Sequence, residues 1–252
     1  MTEAALPVFI GWDSREDAAY RVCRYSMERR ASRPLRIAAL RQKALRALGL
    51  YTRAADPLAS TEFTYSRFLV PHLAGHRGWA LFCDCDFLWL GDVAELFALA
   101  DDRYAAMCVQ HNHRPTETRK MEGAVQTVYP RKNWSSLALY NCGHPANHAL
   151  TPGIVNRETG AFLHRFQWLD DALIGSLPET WNWLEGWSPR PGDGPPKAVH
   201  FTRGGPWFDR WQDVTYADLW IGERARLELA EFDRRRTAPA ATLPHDPRAA
   251  AA

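Results

Sequence analysis

Short apolar runs alternate along the chain with stretches of helical spacing. Residues 7–12 (PVFIGW) read as a buried strand. In the following SREDAAYRVCRYSMERR, Ala18, Ala19, Val22, Cys23 and Met27 keep helical spacing behind a capping-box pattern of Ser14 and Asp17. PLRIAAL (34–40) predicts a second strand, 60–73 a helix, and WALFCDC (79–85) a third strand covered on both faces. A short helix (VAELFALA) after Asp92 leads to a strand at 104–110, and WSSLALYN (134–141) reads as another strand. Residues 158–175 read as one or two helices, and the Pro/Gly-rich 186–201 as a loop feeding a strand that ends at His200 or Phe201. An amphipathic helix, IGERARLELAEFDRRR, precedes a tail at 237–252 whose composition suits disorder. Strands alternating with helices predict an α/β domain around a mainly parallel sheet, a single unit over 1–236.

The 23-residue stretch 111–133 shows no periodicity, and long loops inside a compact domain are often functional. With 252 residues, 46% of them hydrophobic, the chain can fill one sizeable core. Its formal charge of +2 lacks the basic surplus that nucleic acid or anionic lipid would call for. Arg224, Arg226, Arg234, Arg235 and Arg236 on the C-terminal helix are read as a solvated face rather than a membrane contact. No apolar stretch reaches a membrane span and the first residues lack a secretory pattern, so a cytoplasmic location is expected. The five cysteines are scattered without CxxC spacing, which predicts reduced, buried thiols and no cysteine-based zinc site.

The chemistry concentrates in LFCDCDFLWLGD (81–92), where two acids end a greasy run. On an extended segment residues i and i+2 project to one side, so Asp84 and Asp86 face together while Cys83 and Cys85 face away. Carboxylates so placed repel unless a cation sits between them, and hard oxygen ligands at the mouth of a parallel sheet suit Mg²⁺ or Mn²⁺ bridging to nucleotide phosphates. The alternative is that one of the pair only caps the next turn.

LFCDCDFLWLGDVAELF resembles the DxD segment of nucleotide-sugar glycosyltransferases with the GT-A (Rossmann-like) fold, and is most similar to glycosyltransferase family 8. Further segments follow in that family's order over roughly 7–211. VFIGWDSREDAAY resembles the opening strand and nucleotide-holding loop, which implies donor contacts from Asp13, Ser14 and Tyr20. FTYSRFLVPHL is similar to a Y-x-R helix whose arginine, here Arg67, reaches the donor. KNWSSLALYN resembles the strand lining the sugar pocket, with Asn133 and Ser135 as candidates although the family's glycine is missing. QWLDDALIG is similar to the acidic segment that contacts the transferred sugar, which points to Asp170 or Asp171 as the mechanistic group. AVHFTRGGPWF resembles the closing motif, implying His200 as third metal ligand. Gly205 stands where the family's lysine would be, leaving Arg203 or the Gly204 and Gly205 N–H groups to meet phosphate. Trp207, and with it Trp183, is assigned to the acceptor side, where aromatic faces stack on sugars.

The resemblance therefore implies a metal-dependent, retaining transferase moving sugar from a nucleotide-diphosphate donor, expected to be a UDP-sugar, to a carbohydrate or other hydroxyl acceptor. A sugar nucleotidyltransferase would need a Gly-rich phosphate loop, which GWDSRED is not. A noncatalytic carbohydrate-binding protein would explain the tryptophans but has no use for DxD and His200 together.

Overall fold

The structure is a computed structural model describing residues 4–57, 59–112, 119–120, 124–125, 131–192 and 194–237. Residues 238–252 of the expected tail, and 113–118, 121–123 and 126–130 of the polar stretch, lie outside the described residues.

In chain order the first half contains β1 (Leu6–Gly11), α1 (Asp17–Arg30), β2 (Leu35–Leu40), α2 (Gln42–Ala47), α3 (Val70–Leu73), β3 (Trp79–Cys83), β4 (Phe87–Trp89), α4 (Val93–Phe97) and β5 (Ala106–Cys108). Then come β6 (Arg119–Lys120), β7 (Ala124–Val125), β8 (Leu137–Asn141), α5 (Pro152–Arg157), α6 (Gly160–His164) and β9 (Ile174–Ser176). The chain closes with β10 (Trp183–Leu184), β11 (Ala198–His200) and the 21-residue α7 (Ala217–Thr237).

The main sheet has strand order β2-β1-β3-β8-β5-β9. Its pairings are parallel except for β8, which runs against both β3 and β5. β1 and β3 are apolar throughout because both faces are covered, whereas the edge strand β2 exposes Arg36 and Ala38. A second sheet, β10-β11-β4, pairs β11 antiparallel to β4 with His200 opposite Phe87. β6 and β7 form a two-stranded pair of their own.

The expected strand at 79–85 ends at Cys83. Asp84 N–H donates to Ser136 O (2.8 Å), a turn carries Cys85 and Asp86, and the apolar FLW that follows belongs to the other sheet. The two acids therefore sit on a turn between sheets rather than on one extended face. The helix expected at 60–73 is turns, a 3₁₀ segment Ser66–Leu69 and one turn of α3, which Pro71 can only begin. The expected helical stretch 158–175 ends instead in a 3₁₀ turn and β9. The capping box is replaced as well: Asp13, not Ser14, caps the first turn by accepting from Arg15 N–H (2.9 Å). All five cysteines are buried and free of disulfides, as expected.

α7 is held to α1 by Glu231, which accepts from Arg21 Nη2 (2.5 Å), and by the buried carboxylate of Glu223. Glu223 is 1% exposed and accepts from Arg29 Nη2 (2.6 Å) and Arg30 Nη2 (2.8 Å), with Arg226 at 3.4 Å. Around it Val22, Leu88, Trp183, Val199, Phe201, Trp220 and Leu227 form a separate apolar cluster. Burial pushes the Glu223 carboxyl upward, but the hydrogen bonds from Arg29 and Arg30 outweigh it and hold the group below its ordinary value. A depressed acid contributes stability above its unfolded pKa and loses it as pH falls through the folded one. Glu223→Ala is expected to cost about 2 kcal/mol at pH 7, less than a fully buried pair because Arg29 and Arg226 are half in water. The measured Tm should fall by roughly 4–8 °C at pH 7, and the gap to wild type should narrow below about pH 4.

Candidate active site

The second sheet decides what meets at the carboxyl end of β3. Because β11 pairs with β4, Phe201 N–H donates to Asp86 O (3.0 Å), and the His200 imidazole stacks on Phe87 with ring centroids 4.4 Å apart. Its Nε2 lies 3.4 Å from Asp86 Oδ2, and ligand atoms of Asp84, Asp86 and His200 all fall within 4.8 Å of one another. At that spacing two carboxylate charges repel by about 3 kcal/mol at an effective dielectric of 20. Part of this is offset by Arg67, whose Nη1 is 2.7 Å from Asp84 Oδ1 while also donating to Ser135 O (2.9 Å).

The imidazole tautomer follows from its neighbours. Asn182 Nδ2 donates to Asn133 O (3.4 Å) and Ser136 Oγ (3.0 Å), so its Oδ1 must be the atom 2.9 Å from His200 Nδ1. Nδ1 is then the donor, and a neutral ring turns the Nε2 lone pair toward Asp86. Two lone pairs facing at 3.4 Å need a proton or a cation between them. The nearby Asp84 oxygen makes two carboxylates and one imidazole, a donor set that fits Mn²⁺ or Mg²⁺.

The triad opens into a cavity of about 540 Å³. Its walls also include Glu16, Arg67, Asn133, Ser135 and Thr202, together with Arg53, Lys132, His164 and Arg165. Asn133 has left-handed backbone (φ 65°) and a buried Nδ2 without a hydrogen-bond partner among the described residues. Ser135 Oγ is 2.8 Å from His164 Nδ1.

Other expected site residues lie elsewhere. Asp13 is fully buried but serves the loop: it binds Arg15 and accepts from Glu62 N–H (3.1 Å). Burial raises its carboxyl, yet the hydrogen bonds from Arg15 and Glu62 prevail and leave it below the ordinary value. Ser14 Oγ donates to Glu62 Oε1 (2.5 Å), and Tyr20 packs into the main core. Asp170 is exposed, and Asp171, with 84% of its side chain exposed, pairs with Arg131; the turn before β9 aims both outward while His164 and Arg165 face the cavity. Arg203 binds buried Glu185 (2.9 Å) between Trp187 and Trp211 rather than reaching a phosphate. Gly204 (φ 126°) and Gly205 make room for indoles: a Cβ would come within 2.8 Å of Trp211 at the first and 2.2 Å of Trp207 at the second. Trp207 packs on Phe201 and Trp220, and Trp183 is buried in the same cluster, so neither lines the cavity.

No protein-family model matches the chain. Protein CDI of Arabidopsis thaliana is 60% identical over 219 residues, which cover 86% of this chain and 85% of that protein. The chain belongs to the Protein CDI family. Solved structures place the fold. WbbM, a bifunctional glycosyltransferase, superposes with TM-score 0.63 and 16% identity over 93% of this chain, which spans only 52% of WbbM. The glycosyltransferase GlyE of Streptococcus pneumoniae TIGR4 gives 0.58 and 14% over 95% of this chain and 66% of its own. The galactosyltransferase LgtC, solved with donor and acceptor sugar analogs, gives 0.56 and 11% over 92% of this chain and 99% of its own. The CDI-family chain thus has the GT-A fold, with the central, mostly parallel sheet flanked by helices that the sequence predicted. Among the described residues no helix is long and apolar enough to cross a membrane.

Two groups that touch the site in this CDI-family chain carried no sequence signal. Asn182, which orients His200, lies in a tryptophan-rich stretch with no recognisable spacing. Glu16 reads as an ordinary acid at a helix start, yet it is 1% exposed, takes a Cys85 S–H contact at 3.6 Å, and leaves Oε1 buried without a hydrogen-bond partner among the described residues. Burial, with the charges of Asp86 and Asp13 adding to it, pushes its carboxyl up to about 8. A raised acid lowers stability as pH climbs from its unfolded value near 4.3 toward 8, since the native state binds the extra proton. Glu16→Gln should therefore be more stable than wild type in EDTA, with a Tm advantage that grows between pH 5 and 8 and then levels off. A constant difference across that range would contradict the assignment.

Proposed function

We propose that this chain is a metal-dependent glycosyltransferase of the family 8 kind, transferring sugar from a UDP-sugar to a hydroxyl acceptor with retention of configuration. The observation that carries the reading is the convergence of Asp84, Asp86 and His200 on the wall of a cavity that also presents Arg67, Lys132 and Arg165. Those three ligands would hold Mn²⁺ or, with the imidazole less suited to it, Mg²⁺. When bound, the ion supplies Lewis-acid stabilisation of the charge growing on the diphosphate leaving group. Arg67 fixes Asp84 and balances its charge. Asn182 fixes the tautomer that frees His200 Nε2, and Asn133 and Ser135, both on the cavity lining, would orient the donor sugar.

With Asp170 and Asp171 outside the cavity, no carboxylate among the described residues lines it beyond Glu16, Asp56, Asp84 and Asp86. Same-face attack needs none. The acceptor oxygen bonds to the anomeric carbon as the sugar–phosphate bond breaks, and the acceptor proton passes to the departing phosphate oxygen. The choice of acceptor and donor sugar is assigned to the lining residues Arg53, His164 and Arg165 and to the 111–133 segment.

The decisive experiment is a screen of UDP-sugars for metal-dependent hydrolysis or transfer, with the variants Asp84→Asn and Asp86→Asn. Each should lose about 10³-fold or more in turnover while keeping its fold. UDP with Mn²⁺ should raise the wild-type Tm by roughly 5–10 °C near 100 times Kd and leave both variants unmoved. Near-normal turnover in either variant, or a Tm rise with free sugar alone, would overturn the reading. Asn182→Leu tests the imidazole: Mn²⁺ affinity, followed by the paramagnetic signal of the free ion, should weaken by about 10- to 100-fold.

A further inference from the structure

A second group of imidazoles lies at the opposite end of β3. His72 sits on α3, His76 follows three residues after its end, and His148 belongs to the 3₁₀ turn Pro145–Ala149 beyond β8. Trp79 pairs with Asn141 in the β3–β8 ladder, so both arms emerge at the same edge, roughly 13 Å of strand away from the carboxylates. The His76 ring stands between the other two, with centroids 5.7 Å from His72 and 4.9 Å from His148 and planes inclined at 75° and 65°.

Those separations have a chemical meaning. A histidine nitrogen binds Zn²⁺ at about 2.0–2.1 Å, which puts the ring centre about 3.2 Å from the ion, and two such rings at the tetrahedral angle are then about 5 Å apart. Parallel stacked rings could not share an ion; inclined ones can. His76 Nδ1 is buried without a hydrogen-bond partner among the described residues, a donor or acceptor left over by the fold. Burial, and after it the charges of His148 and His72, hold the His76 imidazole below its ordinary pKa, so at neutral pH it keeps a lone pair to give.

The backbone fixes this placement. Gly75 (φ 67°) and His76 (φ 53°) turn left-handed in succession as His76 N–H donates to Pro71 O (2.9 Å) and Gly75 N–H to His72 O (2.9 Å). A positive φ is uncommon for a residue with a side chain, and here it carries the ring back toward α3. On the other arm, buried Asn147 pins the turn by donating to Ala105 O (2.7 Å) and Asn141 O (2.8 Å). One nitrogen from each of the three rings does not come within 4.8 Å of the other two as the rings stand, so a shared ion requires rotation of half-buried His72 and exposed His148 about their χ angles.

We propose that His72, His76 and His148 form a binding site for a borderline divalent transition ion such as Zn²⁺, separate from the carboxylate site and tying α3 to the turn after β8. Three imidazoles leave one tetrahedral position for water and select Zn²⁺ over the hard ions suited to Asp84 and Asp86. The test is calorimetric titration of the tag-free full chain with ZnCl₂ at pH 7.5, supported by the visible absorption of Co²⁺ bound in its place. Wild type and the Asp84→Asn/Asp86→Asn variant should each bind one equivalent that His72→Ala/His148→Ala lacks, and His148→Ala alone, changed only at an exposed side chain, should weaken that equivalent at least tenfold. Unchanged Zn²⁺ binding in His148→Ala, or its loss in the carboxylate variant, would overturn the proposal.

Discussion

The antiparallel pairing of β11 with β4 is the interaction on which the rest of the site depends. Main-chain bonds set Val199 against Leu88 and His200 against Phe87, so an imidazole from the last third of the chain arrives beside carboxylates from its first half. A slip of one residue would turn His200 to the other face of its strand and point Val199 at Asp86 instead. The register is guarded by apolar packing: Leu88, Val199 and Phe201 belong to one cluster with Trp220 of α7. The distant C-terminal helix, through Glu223 and its arginines, thus supports a geometry it does not touch.

Acids and bases share the lining of the cavity: Glu16, Asp56, Asp84 and Asp86 stand with Arg53, Arg67, Lys132 and Arg165. Arg67 sets its guanidinium about 5 Å from the rings of Phe63 and Phe82 as well as against Asp84. The two adjacent rings limit its rotamers, so it acts as a fixed positive charge rather than a mobile tether.

What could be read in the sequence followed from local physics. Doubly covered strands announce themselves as apolar runs, hence β1 and β3, and an acid followed by helical spacing marks α1 and α4. The reversal of β8 was not legible, because a buried strand has the same composition whichever way it runs. The break at Asp84 was hidden because FLW continues the apolar pattern into a different sheet. Resemblance placed Asp84, Asp86 and His200 side by side, but it misplaced Asp170, Asp171, Arg203 and Trp207, where single-residue geometry decides between cavity and surface or core. Asn182 and Glu16 escaped because their importance comes from tertiary neighbours alone.

The Arg67–Asp84 contact has a consequence for how the pocket is filled. A resident guanidinium keeps the acidic corner from being a naked cluster, so the polypeptide can reach and hold its shape before any ion arrives. For a cation held as proposed, the same guanidinium would be a neighbour of like sign against one of its carboxylates. An anionic diphosphate would then relieve the crowding, and occupancy of the two partners would be mutually reinforcing instead of sequentially independent.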